Sequence, residues 1–304
     1  MPETRRGAVL GVVAYALWGL FPLYWSLLES AGAVEILSHR VVWSLVLVGG
    51  LLAARSGPGW VRALRRRPRA LALSALASVV IAVNWGTYIW GVNSGHVVEA
   101  SLGYFINPLV TVVLGVVVLG ERLRRAQWAA VGVAAVAVTG LTVDYGRPPW
   151  LALVLASTFA VYGLLKKTTG MGAVEGLAVE TAVLAPLALG YLAWLAGRGD
   201  ATFGAAGTGH ALLLIGSGAI TAVPLLLFGA AARLVPLTVL GLLQYLAPTI
   251  QFLLGVLLYG ESMPAARLAG FAVLWSALAL FAADAVAHRR RARVAAPVPE
   301  PVAA

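Results

Sequence analysis

The stretches ASLGYFINPLVTVVLGVVVLGE at residues 100–121 and LGLLQYLAPTIQFLLGVLLYGE at residues 240–261 align without a gap at a shift of 140. Pro108 falls on Pro248, Gly115 on Gly255, and Gly120-Glu121 on Gly260-Glu261. The same shift carries GAVEIL (32–37) onto GAVEGL (172–177), with five of six positions identical. Apolar helices match one another by chance, but one shift that serves two separated segments and keeps Pro and Gly-Glu in register points to an internal duplication.

Outward from this stretch the chain is apolar throughout: 61% of its 304 residues are hydrophobic and 11% are charged, against about 50% and about 25% in soluble domains. A water-soluble fold is excluded. Runs free of Asp, Glu, Lys and Arg cover 7–28, 70–98, 100–120, 126–143, 148–165, 201–232 and 234–260, with shorter ones at 41–54, 181–197 and 268–283. Roughly 17–25 apolar residues cross the hydrocarbon core as a helix. The pattern therefore predicts an all-α membrane protein with ten transmembrane helices, near 7–28, 34–54, 70–90, 98–119, 126–144, 149–165, 175–196, 210–231, 237–259 and 266–286. The duplication divides them into repeats at 1–145 and 146–287, followed by a basic and then Pro/Ala-rich tail, 288–304, expected to be disordered and cytoplasmic. Five spans per repeat make the second copy enter from the opposite side, so the repeats are inverted.

Charge placement orients the bundle. With the N-terminus in the cytoplasm, eighteen of 22 basic residues fall in inner segments; Arg147, Arg198 and Arg267 fall in outer loops, and Arg40 is left inside the second span. This asymmetry predicts cytoplasmic termini on a multi-pass chain in the cytoplasmic (inner) membrane, and it accounts for the +10 net charge without nucleic acid. The first span follows Arg5 and Arg6 as a secretory signal would, but its length and the nine spans after it mark a retained anchor. There is no cysteine, and His39, His96, His210 and His288 lack metal-ligand spacing, so no cofactor or metal is expected.

Inverted repeats are a signature of secondary transporters, which bind solute near the midplane between halves that exchange roles. A channel or a scaffold is the plainer product of duplication. Polar side chains within spans are costly and face a cavity or another helix. In the fourth span Tyr104, Asn107 and Thr111 share a face at i, i+3, i+7, beside Pro108; the repeat puts Gln244 and Gln251 on the same face, beside Pro248. These residues, with Tyr15 and Trp18 of the first span and Asn84, Trp85, Tyr88 and Asn93 at the third, form the expected substrate cavity. Bridging between helices is their bland alternative.

Glu35, His39 and Arg40 open the second span, and Glu99 and Glu180 are further embedded carboxylates. Arg40 lies about 9 Å inside, within snorkelling reach of the outer interface, where Glu35 or Glu99 would pair with it. Glu35, His39, Glu99 and Glu180 are also candidates for proton coupling. Trp25, Trp60 and Trp150 are expected in interfacial belts.

Through EILSHRVVWS (35–44), NWGTYIWGVNSGHVVEASLGYFINPL (84–109), LGERLRRAQW (119–128) and LGLLQYLAPTIQFLLGVLLYGE (240–261), the chain resembles the drug/metabolite transporter superfamily with two EamA-type five-helix repeats, and within it the RarD subgroup. The resemblance spans essentially the whole chain. It implies ten helices, cytoplasmic termini, a central cavity between the repeats, fifth and tenth helices set aside from that cavity, and an association with chloramphenicol sensitivity; it supplies no substrate. It marks Glu35, Arg40, Asn84, Trp85, Asn93, Glu99, Asn107 and Pro108 as characteristic positions without giving them roles.

The expected function is an exporter of small organic solutes or metabolites that works by alternating access, with proton coupling and simple gradient-driven flux both open. Its partners are the bilayer and a small-molecule solute, and homo-oligomers are left open. Lys166-Lys167-Thr168 lacks the lead of a P-loop, so no nucleotide motor is encoded there. An intramembrane enzyme is disfavoured, because Asp144, Asp200 and Asp284 are dispersed and neither HExxH nor GxSxG occurs. A membrane scaffold or receptor is the alternative to transport.

Overall fold

The computed structural model describes residues 3–56, 67–120, 123, 125–169, 171–235, 239–240 and 243–294. Its helices are α1 (Glu3–Gly19), α2 (Phe21–Ser26), α3 (Ala33–Ser56), α4 (Pro68–Asn93), α5 (Val97–Leu119), α6 (Arg125–Tyr145), α7 (Trp150–Thr169), α8 (Ala173–Arg198), α9 (Thr208–Leu234), α10 (Leu246–Leu253), which runs into a π-helical turn at Leu254–Leu258, and α11 (Ala265–Val294). Among the described residues eight helical segments are long and apolar enough to cross a membrane, and Trp150–Lys166 and Leu246–Leu258 are shorter apolar helices. Part of the ninth expected span, 237–259, lies outside the described residues.

Local chemistry sets the boundaries. The first span is not one helix over 7–28: α1 stops at Gly19, and α2 starts afresh with Pro22 in its first turn, where a missing N–H does no harm. Pro68 opens α4 in the same way. Pro108, Pro186 and Pro224 lie inside α5, α8 and α9, each freeing a carbonyl one turn back. Gly120, which ends α5, and Gly260, which follows the π turn, adopt φ of +66° and +65°. A side chain would be strained at either position, and these are the two glycines that the shift of 140 superimposes. The expected tail does not begin at 288, because α11 continues to Val294 through AHRRRARV, which contains no helix breaker; 295–304 lie outside the described residues.

The helices pack in defined pairs: α1 on α9 and α10, α3 on α8 and α9, α4 on α7 and α8, α5 on α7 and α10, and α6 chiefly on α11 at one side. Between apolar helices in lipid such pairing rests on close packing, which small residues permit. Gly103 sits against Ala152 of α7, and Gly218 against the backbone of Trp43 and Ser44 in α3. One buried cluster joins Phe105, Leu141, Phe252, Phe271 and Leu274; another joins Trp25, Leu28, Ile36, Ile89, Leu155 and Leu214. The outside is apolar as well, with Val143 and Leu257 each 78% exposed. Such a surface suits acyl chains and not water, and the chain is a multi-pass membrane protein.

Candidate functional site

Arg40 sits two turns into α3 and is only 3% exposed. The expected snorkelling does not occur, and Arg40 pairs with neither Glu35 nor Glu99. Its Nε instead donates to Thr221 Oγ1 of α9 at 2.7 Å. The guanidinium lies over Trp85 of α4, 3.9 Å from the ring centroid, with the Trp25 and Phe21 rings of α2 at 5.3 and 5.7 Å. A desolvated cation–π contact contributes about 2 kcal/mol. Trp25 is fully buried, so it belongs to this box and not to the interfacial belt; Trp150 is exposed, and Trp60 lies outside the described residues.

Tyr88 and Tyr104 complete the box, edge to face at 5.6 Å. The Tyr104 hydroxyl points to Asn84 Oδ1 at a long 3.4 Å. Of the expected cavity residues, the structure thus gathers Asn84, Trp85, Tyr88 and Tyr104 near Arg40. It adds Phe21 and Thr221, which sequence reasoning missed. The available signal for Thr221 was its i, i+4 spacing from Ser217 in an otherwise apolar span.

The remaining expected residues are distributed differently. Tyr15 and Trp18 cluster with Phe228 of α9 at centroid distances of 5.3 to 6.0 Å. Asn107 Nδ2 donates to the Ala156 carbonyl at 3.0 Å, and Gln251 Nε2 to the Trp18 carbonyl at 3.1 Å. Asn84 Nδ2 donates to the Leu155 carbonyl at 3.0 Å and to Thr158 Oγ1 at 2.9 Å. These amides clip α5 to α7, α10 to α1, and α4 to α7. Thr111 is exposed, Gln244 is half-buried ahead of α10, and Pro108 and Pro248 are buried in their helices. Both polar atoms of the half-buried Asn93 lack a partner among the described residues.

Carboxylates fasten the end of the bundle formed by the N-termini of α3, α5, α7 and α9. Glu99 binds Arg147 through both oxygens, at 2.8 and 3.4 Å, and accepts the Leu151 N–H at 3.2 Å. Glu35 accepts the N–H and hydroxyl of Thr202 at 2.8 and 3.0 Å, and His210 Nε2 lies 2.8 Å from that hydroxyl. His39 stacks on Phe203 at 4.9 Å. Asp144 pairs with Arg267 at 2.9 Å.

Glu261, which sequence reasoning noted only as the repeat of Glu121, caps α5 by accepting the N–H groups of Val97 and Val98. A carboxylate there also suits the positive end of the helix dipole. Burial still pushes its carboxyl above the usual carboxylate range, against the opposing pull of those N–H groups, His96 and Arg267. Glu180 of α8 lies apart from this end, held by Lys166 Nζ at 2.8 Å and the Tyr162 hydroxyl at 3.0 Å.

Residues 5–143 match the EamA-like transporter family. The chain is 59% identical over 299 residues to Protein RarD of Streptomyces exfoliatus, an alignment covering 98% of this chain and 95% of that protein. It is 43% identical over 295 residues to Uncharacterized transporter YojE of Bacillus subtilis (strain 168), covering 96% and 98%. A solved crystal structure, 18% identical, aligns over 93% of this chain and 98% of that one with a TM-score of 0.57, a likeness of fold.

Proposed function

Because the chain belongs to the EamA-like transporter family, we propose that it exports small organic solutes across the cytoplasmic membrane by alternating access of two inverted five-helix repeats, 1–145 and 146–287. The packing supports inverted halves, since pairs have counterparts when the halves are exchanged. Contact of α1 with α9 answers α7 with α4, α3 with α9 answers α8 with α4, and α1 with α10 answers α7 with α5. The basic-residue asymmetry supports cytoplasmic termini.

The observation that carries this reading is the Arg40 box. Its walls come from α2, α3, α4 and α5 of the first half, and its hydrogen bond comes from Thr221 of the second. A solute held there is gripped by both halves, which rocking requires. Glu99 and Glu180 are each engaged by a cation, which favours a structural role for them over proton carriage.

Reconstituted protein should give saturable flux with members of a panel of aromatic acids, amino acids and chloramphenicol. Trp85→Leu should lower that flux at least about tenfold, a loss of about 1.4 kcal/mol of binding. Wild-type flux no greater than in protein-free vesicles across the panel would refute transport, and an unaffected Trp85→Leu would refute this location.

A further inference from the structure

We infer that the site around Arg40 binds the carboxylate of a monoanionic organic acid with an apolar body, an inference that rests on the transport reading and narrows its substrate class. Among the described residues Glu99, Glu180 and Asp144 each meet a cation, at 2.8, 2.8 and 2.9 Å, whereas no carboxylate meets Arg40. A charge without a counter-charge at this depth is costly, and aromatic faces with one hydroxyl offset only part of the loss. The repeat sharpens the contrast. At the shift of 140 Arg40 is equivalent to Glu180, and Lys166, the counter-ion of Glu180, is equivalent to Ser26. Ser26 is neutral, and its hydroxyl is engaged with the Leu23 carbonyl at 3.2 Å and Tyr259 Oη at 3.0 Å. The first half leaves out the opposite charge that the second half builds in.

The surroundings offer donors in want of an acceptor. Trp25 Nε1 and Tyr88 Oη are buried with no hydrogen-bond partner among the described residues. Trp25 lies against the guanidinium, and Tyr88 packs in one buried cluster with Trp25 and Phe21. The bond to Thr221 uses only Nε, so the terminal N–H groups of Arg40 make no hydrogen bond within the described chain. An indole can only donate, a guanidinium can only donate, and the phenol has a proton to give. All three call for an acceptor, and beside a cation that meets no carboxylate among the described residues the fitting acceptor is an anion.

A carboxylate is planar and matches the guanidinium fork with a single charge. A phosphate dianion would call for a second cation, which the described box does not contain. Trp85, Phe21 and Tyr104 suit an apolar or aromatic body beside the carboxylate. An α-ammonium would call for an acid, and Glu35 and Glu99 are committed to Thr202 and Arg147. Deaminated acids should therefore bind more tightly than the matching α-amino acids.

Calorimetric titration of the full-length protein in nanodiscs with 3-phenylpropanoate, 3-phenylpropanamide and phenylalanine tests the inference. The acid should bind saturably, with the amide and phenylalanine at least about tenfold weaker. Arg40→Gln should abolish acid binding. Tyr88→Phe, which removes one donor and keeps the ring, should weaken it about three- to tenfold and decides the matter if Arg40→Gln fails to fold. The inference is overturned if the amide matches the acid, if Tyr88→Phe leaves the acid unaffected, or if the acid does not bind up to about 10 mM, the millimolar limit of weak specific binding. In proteoliposomes, acid binding without flux of any solute overturns transport and leaves the site standing. Flux of neutral solutes with which 3-phenylpropanoate does not compete overturns the site and leaves transport standing.

Discussion

A carboxylate among apolar helices needs donors within reach, and Glu180 takes two, Lys166 Nζ and the Tyr162 hydroxyl. Removing one partner strands the other, whereas removing both charges can be nearly neutral. Lys166→Met alone is therefore expected to destabilise the protein by about 2–3 kcal/mol, discounted for the partial exposure of the lysine. Lys166→Met with Glu180→Gln should recover at least half of that loss in thermal unfolding in micelles. A double variant no more stable than the single one would show that the pair contributes little. Glu99, Glu180 and Arg40 stood out in the sequence because so few charges interrupt the apolar background. Their partners did not, because Arg147 and Lys166 lie 48 and 14 residues away from the carboxylates they meet. The spacing of Tyr104, Asn107 and Thr111 showed a common strip of α5 but not what faces it. One turn meets the Arg40 box, the next is clipped to α7, and the last is exposed.

Helices were legible as charge-free runs, and their ends as prolines and glycines. The break between α1 and α2 was not, because Tyr15, Trp18, Pro22 and Trp25 also fit one continuous stripe at helical spacing. Crossing distance between helices is set by single small residues that a hydropathy pattern does not reveal. A Cβ on Gly218 would collide with the Trp43 carbonyl group and lie 2.8 Å from Ser44 N. These are backbone atoms that cannot turn aside. Gly218→Ala is expected to cost about 1–3 kcal/mol by forcing α9 away from α3, and with it Thr221 from Arg40. By contrast nothing lies within 4 Å of a Cβ on Gly190 in α8, so Gly190→Ala should be neutral or stabilising by up to about 1 kcal/mol. Unfolding midpoints for the pair check this, and equal midpoints would remove Gly218 as the spacer.

At the scale of the whole molecule, Glu35, Glu99, Glu261 and the Asp144–Arg267 pair all fasten the end that the proposed orientation places outside. Alternating access requires that end to open, which would expose Glu261 to water. Its carboxyl sits above the ordinary range in the closed arrangement, because burial outweighs the Val97 and Val98 N–H groups and the nearby His96 and Arg267. Opening should return it to an ordinary value. The closed form therefore binds the proton more tightly, and by linkage acid favours closure although protonation weakens the cap itself. Ser26 reports on this end, since its hydroxyl meets Tyr259 Oη across it. The chain has no cysteine of its own, so Ser26→Cys offers a single labelling position. Its rate of modification from outside, corrected for thiolate content, should fall as pH drops from about 7.5 to about 5, and Glu261→Gln should flatten that slope. A slope that persists in Glu261→Gln would remove Glu261 as its source, and acceleration in acid would reverse the sign given to Glu261.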